Sequence, residues 1–403
     1  MVKPGYKQTE IGVIPEDWGI KYLSDFGNVI SGGTPSTSVK EYWDGDIAWC
    51  TPSDITATPG KYICKTNRNI TNKGLKNCAA TILPPNSVLL CTRATIGELK
   101  ISKVPIATNQ GFKSLYSNFS GNINYLYYLL QTKKKDMLEL AIGSTFLEIS
   151  KTALCSIPLQ TPPLDEQERI AEALSDVDDL ISSLEKLIEK YKSIKATCLQ
   201  QMFPQNGETT PKMRLPGFTG AWEQRKLGDI AVRSSEISSE SDLPRVEYED
   251  IISGTGRLNK DIFAKESDKA GIVFHMGDVL YGKLRPYLQN WLLPSFDGLA
   301  VGDFWVLQPQ NTDSSFLYML IQSKQFNEVA NQSTGTKMPR ADWKLVSKTE
   351  FFVPNSTDEQ AAIGAFFRAL DNLATLHQRK LDKTKKIKQG MMQQLLTGKI
   401  RLV

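Results

Sequence analysis

The segment Pro163–Leu180, PLDEQERIAEALSDVDDL, returns in altered form at Asn355–Leu373, NSTDEQAAIGAFFRALDNL. The DEQ triplet starts at Asp165 and again at Asp358, a shift of 193 residues, and the pattern behind each copy keeps that register without a gap. Ile170, Leu174, Val177, Ile181, Leu184, Ile188, Tyr191, Lys195, Cys198 and Met202 step by four and three, the rhythm of a coiled-coil seam. At the same shift stand Ile363, Phe367, Leu370, Ala374, His377, Leu381, Thr384, Lys388, Met391 and Leu395. Neither stretch contains a proline, and only Gly364 and Gly390 weaken the second. The spacing predicts two long helices, each of roughly 36 residues and so about 55 Å long. Asp165 or Glu166, after Pro162 and Pro163, and Thr357 or Asp358, after Pro354, are the expected N-terminal caps.

One such helix alone would be read as an amphipathic element packed on its own domain. Two in register point to helices that pair with each other. An antiparallel pair brings Asp176, Asp178 and Asp179 near Lys385, Lys386 and Lys388, whereas a parallel pair sets the acidic cluster beside Asp371. Antiparallel pairing is therefore expected, although the lysine run also reads as a plain solvated helix face.

At 403 residues the chain is too long for one ordinary core. The expected division is 1–160, a first domain; 161–204, a central helix; 205–355, a second domain; and 356–403, a C-terminal helix. Weak echoes link the two domains. WGIKYLSDFGNVI from Trp18 parallels WEQRKLGDIAVRS from Trp222, Asn86–Lys100 parallels Gly277–Trp291, and Asn122–Lys134 parallels Asp313–Gln325. Each domain mixes strands and helices, so the fold class is α+β. Two globular domains are separated by two long antiparallel coiled-coil helices with pseudo-twofold symmetry. Such an object suits a twofold partner, either duplex DNA read at two sites or two copies of one protein.

Composition removes several alternatives. No run approaches the roughly 18 apolar residues of a membrane helix, and MVKPGYKQTEIGVIPEDW lacks a secretory h-region, so a cytoplasmic, non-membrane address is expected. The six cysteines show neither CxxC spacing nor a disulfide framework, and two histidines leave little for metal or triad chemistry. Net charge is only +4, but it is unevenly spread: +5, −4, −2 and +5 over the four segments in order.

YKQTEIGVIPEDW, SGGTPST followed by YWDGDIAW, PPLDEQERIAEAL and MMQQLLTGKIRL occur together in one chain. In this combination the sequence resembles, over essentially its whole length, the specificity subunits of type I restriction-modification systems. The resemblance implies two target-recognition domains, each reading one half of a split site in double-stranded DNA, with the helices as spacers. It implies a non-catalytic scaffold that carries two copies of an adenine-methylating modification subunit and recruits a motor-nuclease restriction subunit. S-adenosylmethionine, ATP and Mg would then belong to those partners, and no cofactor or metal to this chain. The second domain lacks a counterpart of SGGTPS, which weakens the internal symmetry more than the family resemblance.

The residues agree with an absence of catalysis. LPPN at Leu83–Asn86 and TPPL at Thr161–Leu164 lack the aromatic of a base-clamping motif and read as turns. SGTGRLNK at Ser253–Lys260 lacks the third glycine and the GK[ST] ending of a nucleotide loop and reads as a bulged hairpin.

Candidate DNA contacts lie where apolar strands open into polar, basic turns. In the first domain Gly33 and Thr34, after Gly32, offer amides and a hydroxyl to a phosphate, or form a plain turn. Thr92 and Arg93 follow SVLLC, and Asn109, Gln110 and Lys113 follow VPIAT. In the second domain Lys283, Arg285 and Tyr287 follow GDVLY, while Lys337 and Arg340 sit in STGTKMPR. Arg, Asn and Gln suit bidentate base reading, but each residue equally suits a solvated surface. Two rival readings remain: a coiled-coil adaptor that scaffolds proteins rather than DNA, and an enzyme with an unfamiliar site.

Overall fold

In the computed structural model the two heptad stretches are continuous helices, Leu164–Gln201 and Thr357–Leu395. The structure describes residues 2–116, 121–143, 147–204, 208–264, 267–332 and 338–403. Packing divides the chain into two compact units, the first made of 1–185 with 379–403 and the second of 186–378. Each helix is thus shared, one part of it packing within each unit. Ile170 and Leu174 join the first unit's core with Leu395 and Leu396, and Cys198 and Met202 join the second's with Ile363 and Phe367. The compact units therefore cut across the helices rather than leaving them as separate segments.

Within each unit the two half-helices run antiparallel. In the first, Lys388 Nζ lies 2.7 Å from Asp178 Oδ1 and Lys385 Nζ 2.7 Å from Glu185 Oε1. In the second, Lys195 Nζ lies 2.8 Å from Asp371, and the Tyr191 and His377 rings stack at 5.6 Å. Residues 178 and 371, like 195 and 388, are 193 apart, so one ion pair is built twice. Lys385 meets Glu185 instead of the aspartate cluster. Among the described residues Asp176, Asp179 and Lys386 make no ion pair between the helices and are exposed, because at about 100° per residue the neighbours of a facing position point away.

The doubled DEQ has a second structural role beyond starting a helix. Glu166 is fully buried, receives Trp18 Nε1 at 2.9 Å, and is gripped by Arg401 through Nε at 2.7 Å and Nη2 at 2.8 Å. Glu359, likewise buried, receives Trp222 Nε1 at 3.3 Å and Arg214 through Nε and Nη2, both at 2.7 Å. Neither glutamate is a cap; a buried carboxylate is tolerated only when paired and hydrogen-bonded. Ser356 occupies the capping position of the C-terminal helix, with Glu359 N 3.4 Å from its Oγ. The glutamines bind in parallel. Gln167 donates to Pro162 O at 2.9 Å and accepts from Asn122 N at 3.2 Å, while Gln360 donates to Pro354 O at 2.8 Å and accepts from Asp313 N at 2.8 Å. Asn122 and Asp313 in turn cap the helices Ile123–Thr132 and Ser314–Leu320. One triplet thus joins domain to helix in each unit.

The strands follow the same plan. Gly19–Lys21, after Trp18, pairs antiparallel with Leu159–Thr161, and Glu223–Lys226, after Trp222, pairs with Glu350–Val353. In the first unit, Val88–Leu90 lies centrally in a five-stranded sheet, while Trp43–Cys50 pairs parallel with Ile106–Thr108 and antiparallel with Arg68–Ile70. In the second, Val279–Gly282 lies inside a four-stranded sheet between Phe304–Pro309 and Trp291–Leu292, and Ile237–Ser238, Gly271–Phe274, Gly298–Ala300 and Arg245–Val246 form a further four-stranded sheet in that order. The SGTGRLNK segment forms the hairpin of Ile251–Ile252 with Arg257–Leu258, with Gly254 and Gly256 at φ 72° and 66° in the turn. No described helix is long and apolar enough to cross a membrane.

Candidate nucleic-acid interface

The central strands Val88–Leu90 and Val279–Gly282 both run out into turns that hold a non-glycine residue in the left-handed region, Ala94 at φ 63° and Arg285 at φ 49°. Such a conformation in a residue with a Cβ is sustained only by surrounding contacts. In both units a returning segment bridges onto this turn, Glu148 onto Arg93 and Arg340 onto Leu284.

In the first unit the turn brings most of the expected residues together. Gly33 N donates to Thr108 O at 2.9 Å, and the Thr34 hydroxyl donates to the Gln110 side-chain oxygen. Asn109 Oδ1 accepts from Gly111 N at 2.9 Å, and Thr92 donates through N at 2.8 Å and Oγ1 at 3.2 Å to Gly111 O. Arg93 forks onto Glu148, with Nε at 3.0 Å, and Lys113 Nζ stands 3.5 Å from the same carboxylate. The expectations for Gly33 and Thr92 need correction. Both are buried and spend their donors on backbone carbonyls, so neither offers a group to a phosphate. A side chain at Gly33 would collide with the Ala79–Ala80 backbone at 2.6 to 2.8 Å, which explains the glycine by close packing. Lys113, with a side chain only 10% exposed, sits under the cluster, whereas Thr34 and Gln110 are exposed and Arg93 is half-exposed.

In the second unit Arg340 forks onto Asp303 Oδ2, Nε at 3.1 Å and Nη2 at 2.9 Å, and Lys283 Nζ lies 3.5 Å from the other oxygen. Arg285 N donates to Pro339 O at 2.7 Å, and its Nε is buried without a partner among the described residues. Tyr287 is exposed beside it. Lys337 lies outside the described residues. Tyr248, absent from the sequence candidates, ties the turn down: its hydroxyl donates to Asp303 O at 2.7 Å and accepts from Leu284 N at 2.8 Å.

Sequence reasoning also missed Glu148 and Asp303, the carboxylates around which each cluster is built. Desolvation alone raises their pKa, but hydrogen bonds and charge outweigh it and hold both carboxyls below the usual range: Arg93 and Lys113 at Glu148, Arg340 and Lys283 at Asp303. Their charge was a distraction, since acids are not sought where an anion should bind. The usable signal was the position of each, on the strand or segment neighbouring the basic turn. Each cluster carries two cations and one anion, with a guanidinium fork at its more exposed side. Among the described residues, no group of three or more His, Cys, Asp and Glu could hold a metal ion.

The family model described as the type I restriction modification DNA specificity domain matches residues 15–195 and 220–386, one copy over each echo of the repeat. The chain belongs to the type I restriction-modification specificity-subunit family. It is 30% identical over 425 residues to the MjaIX specificity subunit of Methanocaldococcus jannaschii, a match that covers 98% of this chain and 96% of that one. To the EcoR124I/EcoR124II specificity subunit of Escherichia coli it is 28% identical over 171 residues, covering 41% and 42% of the two chains. The fold is that of the S subunit from M. genitalium, at TM-score 0.60 and 15% identity over 98% of both chains. A chain from a study of the assembly and conformational transition of the type I R-M system matches at TM-score 0.58 and 14% identity, over 96% of this chain and 99% of that one.

Proposed function

We propose that this DNA-specificity subunit reads the two halves of a split target in double-stranded DNA, one half with each basic turn. The observation that carries the reading is the duplication of the cluster: a guanidinium fork, a lysine and one carboxylate at the end of a central strand, built once in each unit. Forked arginine suits the guanine edge, and lysine suits phosphate. Within that reading Thr34, Arg93, Asn109 and Gln110 contact DNA from the first unit, and Lys283, Arg285, Tyr287, Lys337 and Arg340 from the second. Gly33, Thr92 and Lys113 support the turn instead.

The chain itself is non-catalytic in this proposal. Two copies of an adenine-methylating modification subunit and a motor-nuclease restriction subunit assemble on it in the cytoplasm. Those partners supply S-adenosylmethionine, ATP and Mg. The adaptor reading, in which the domains bind only proteins, is disfavoured by membership in a DNA-specificity family.

Mapping N6-methyladenine in the source genome, with and without this gene, tests the proposal. Loss of methylation at one motif with two specified halves around an unspecified gap is the expected result. Loss at an undivided motif would overturn the two-reader geometry. An unchanged map from a strain whose purified complex methylates no DNA in vitro would overturn the modification role.

A further inference from the structure

At the seam between domain and helix the two units differ, although the helix residues involved stand in one register. In the first unit the seam is filled. Lys61, only 8% exposed, donates to Ser175 Oγ at 2.6 Å and approaches Tyr128 OH at 3.4 Å, and burial lowers its pKa. Tyr62 OH donates to Asn124 Oδ1 at 3.1 Å, and Tyr128 OH donates to Asp178 Oδ2 at 2.7 Å.

In the second unit the corresponding residues line an open cavity of about 490 Å³. At the helix shift of 193, Ser175 becomes Arg368, Ala171 becomes Gly364 and Asp178 becomes Asp371. At the shift of 191 that relates the two domain helices, Tyr128 becomes Met319 and Asn124 becomes Ser315. No lysine enters. The hairpin turn approaches instead with Thr255, Gly256 and Arg257, and a side chain at Gly256 would strike the Tyr318 hydroxyl at 1.7 Å.

The charge of the cavity is positive. Asp371 is already paired with Lys195, and Arg257 Nη2 uses one donor on Asp371 O at 3.2 Å. Among the described residues Arg368 has no hydrogen-bond or ion-pair partner. Two guanidiniums with hydroxyls of Thr255 and Ser314 nearby suit a phosphate, while Met276, Leu293 and Met319 offer an apolar wall for a flat body. The volume falls within the range of roughly 300 to 1,000 Å³ typical of small-molecule sites.

We infer that this cavity binds a small phosphate ester of nucleotide size, its phosphate on Arg257 and Arg368 and its apolar body against Met276 and Leu293. Among the described residues of the first unit, Lys61 and Tyr62 occupy the matching seam. DNA backbone phosphate offers the same head-group chemistry, so the test must separate the two sources.

Calorimetric titration of the full chain, alone or in its complex, with adenosine and cytidine 5′-monophosphates, inorganic phosphate and free adenosine provides the test. Binding of at least one monophosphate, with free adenosine inert, is expected. Arg368→Ser, which installs the first unit's residue at an exposed position, should weaken that binding by about tenfold or more while leaving DNA affinity unchanged. Arg368→Lys should retain part of it. No binding by either monophosphate, or equal binding by wild type and Arg368→Ser, overturns the inference. Weaker DNA binding in Arg368→Ser without monophosphate binding overturns it in favour of backbone contact.

Discussion

The two charge clusters have the same ingredients in exchanged positions. In the first unit the acid, Glu148, stands on the returning segment and the cations, Arg93 and Lys113, come from the turn and a neighbouring strand. In the second the returning segment carries the cation, Arg340, and the acid is Asp303, with Lys283 on the turn. Backbone bridging is retained while charge is traded across it. The fold therefore fixes where an ion-paired fork can stand, and the residue types decide which strand presents it. A carboxylate placed this way holds the guanidinium plane and limits indiscriminate attraction to phosphate.

The largest expected effect tests the two buried glutamates. Replacing Glu359 by alanine leaves Arg214 with only the carbonyls of Thr219 and Gly220, and should cost on the order of 3 kcal/mol. Glu166→Ala should cost less, because Arg401 keeps Asp17 at 2.7 Å. Thermal and denaturant unfolding of the two variants measures this, and an equal or reversed order would break the distinction.

Next come the forks. Arg93→Ala and Arg340→Ala should each relax one half of the target by about 1–3 kcal/mol and leave the other half intact, as read by binding to a library of split sites. Relaxation of both halves by one variant would refute the assignment of one half to each unit.

Smaller effects follow from the carboxylates. Glu148→Gln and Asp303→Asn should each raise non-sequence-specific affinity and steepen the salt dependence by about one phosphate contact, narrowing the ratio between specific and random DNA. The smallest effect is on pH. Both carboxyls are depressed in the folded state, so their contribution to stability is present above the ordinary carboxylate pKa of about 4 and fades as pH falls through the depressed values. Thermal midpoints should show wild type losing its advantage over Asp303→Asn only in that acidic window. A constant difference from pH 7 to 3 would contradict it.

The long helices were legible because a heptad seam is local and repeats many times. Their direction was legible because Asp178 and Lys388 differ in sign. The partners of Glu166 and Glu359 were not, since they come from far along the chain at different shifts. Trp18 and Trp222 are 204 apart, and Arg214 and Arg401 are 187 apart, against 193 for the helices. The matching strings KMRL at Lys212–Leu215 and KIRL at Lys399–Leu402, one after each helix, were the missed signal. At the basic turns, sequence named candidate residues but not the use of each donor. Burial of Gly33 and Thr92, and the carboxylates facing Arg93 and Arg340, depend on strands that only the fold brings together.

Arg401 also has a bearing on how the molecule is made. The second unit is one uninterrupted stretch, 186–378, whereas the first needs residues 379–403 to close. During synthesis, Glu166 leaves the ribosome more than two hundred residues before Arg401, and Leu395 and Leu396 are missing from its core for as long. The half translated first is therefore expected to mature last, and in a released chain ended after residue 378 protease protection should appear over 186–378 and not over 1–185.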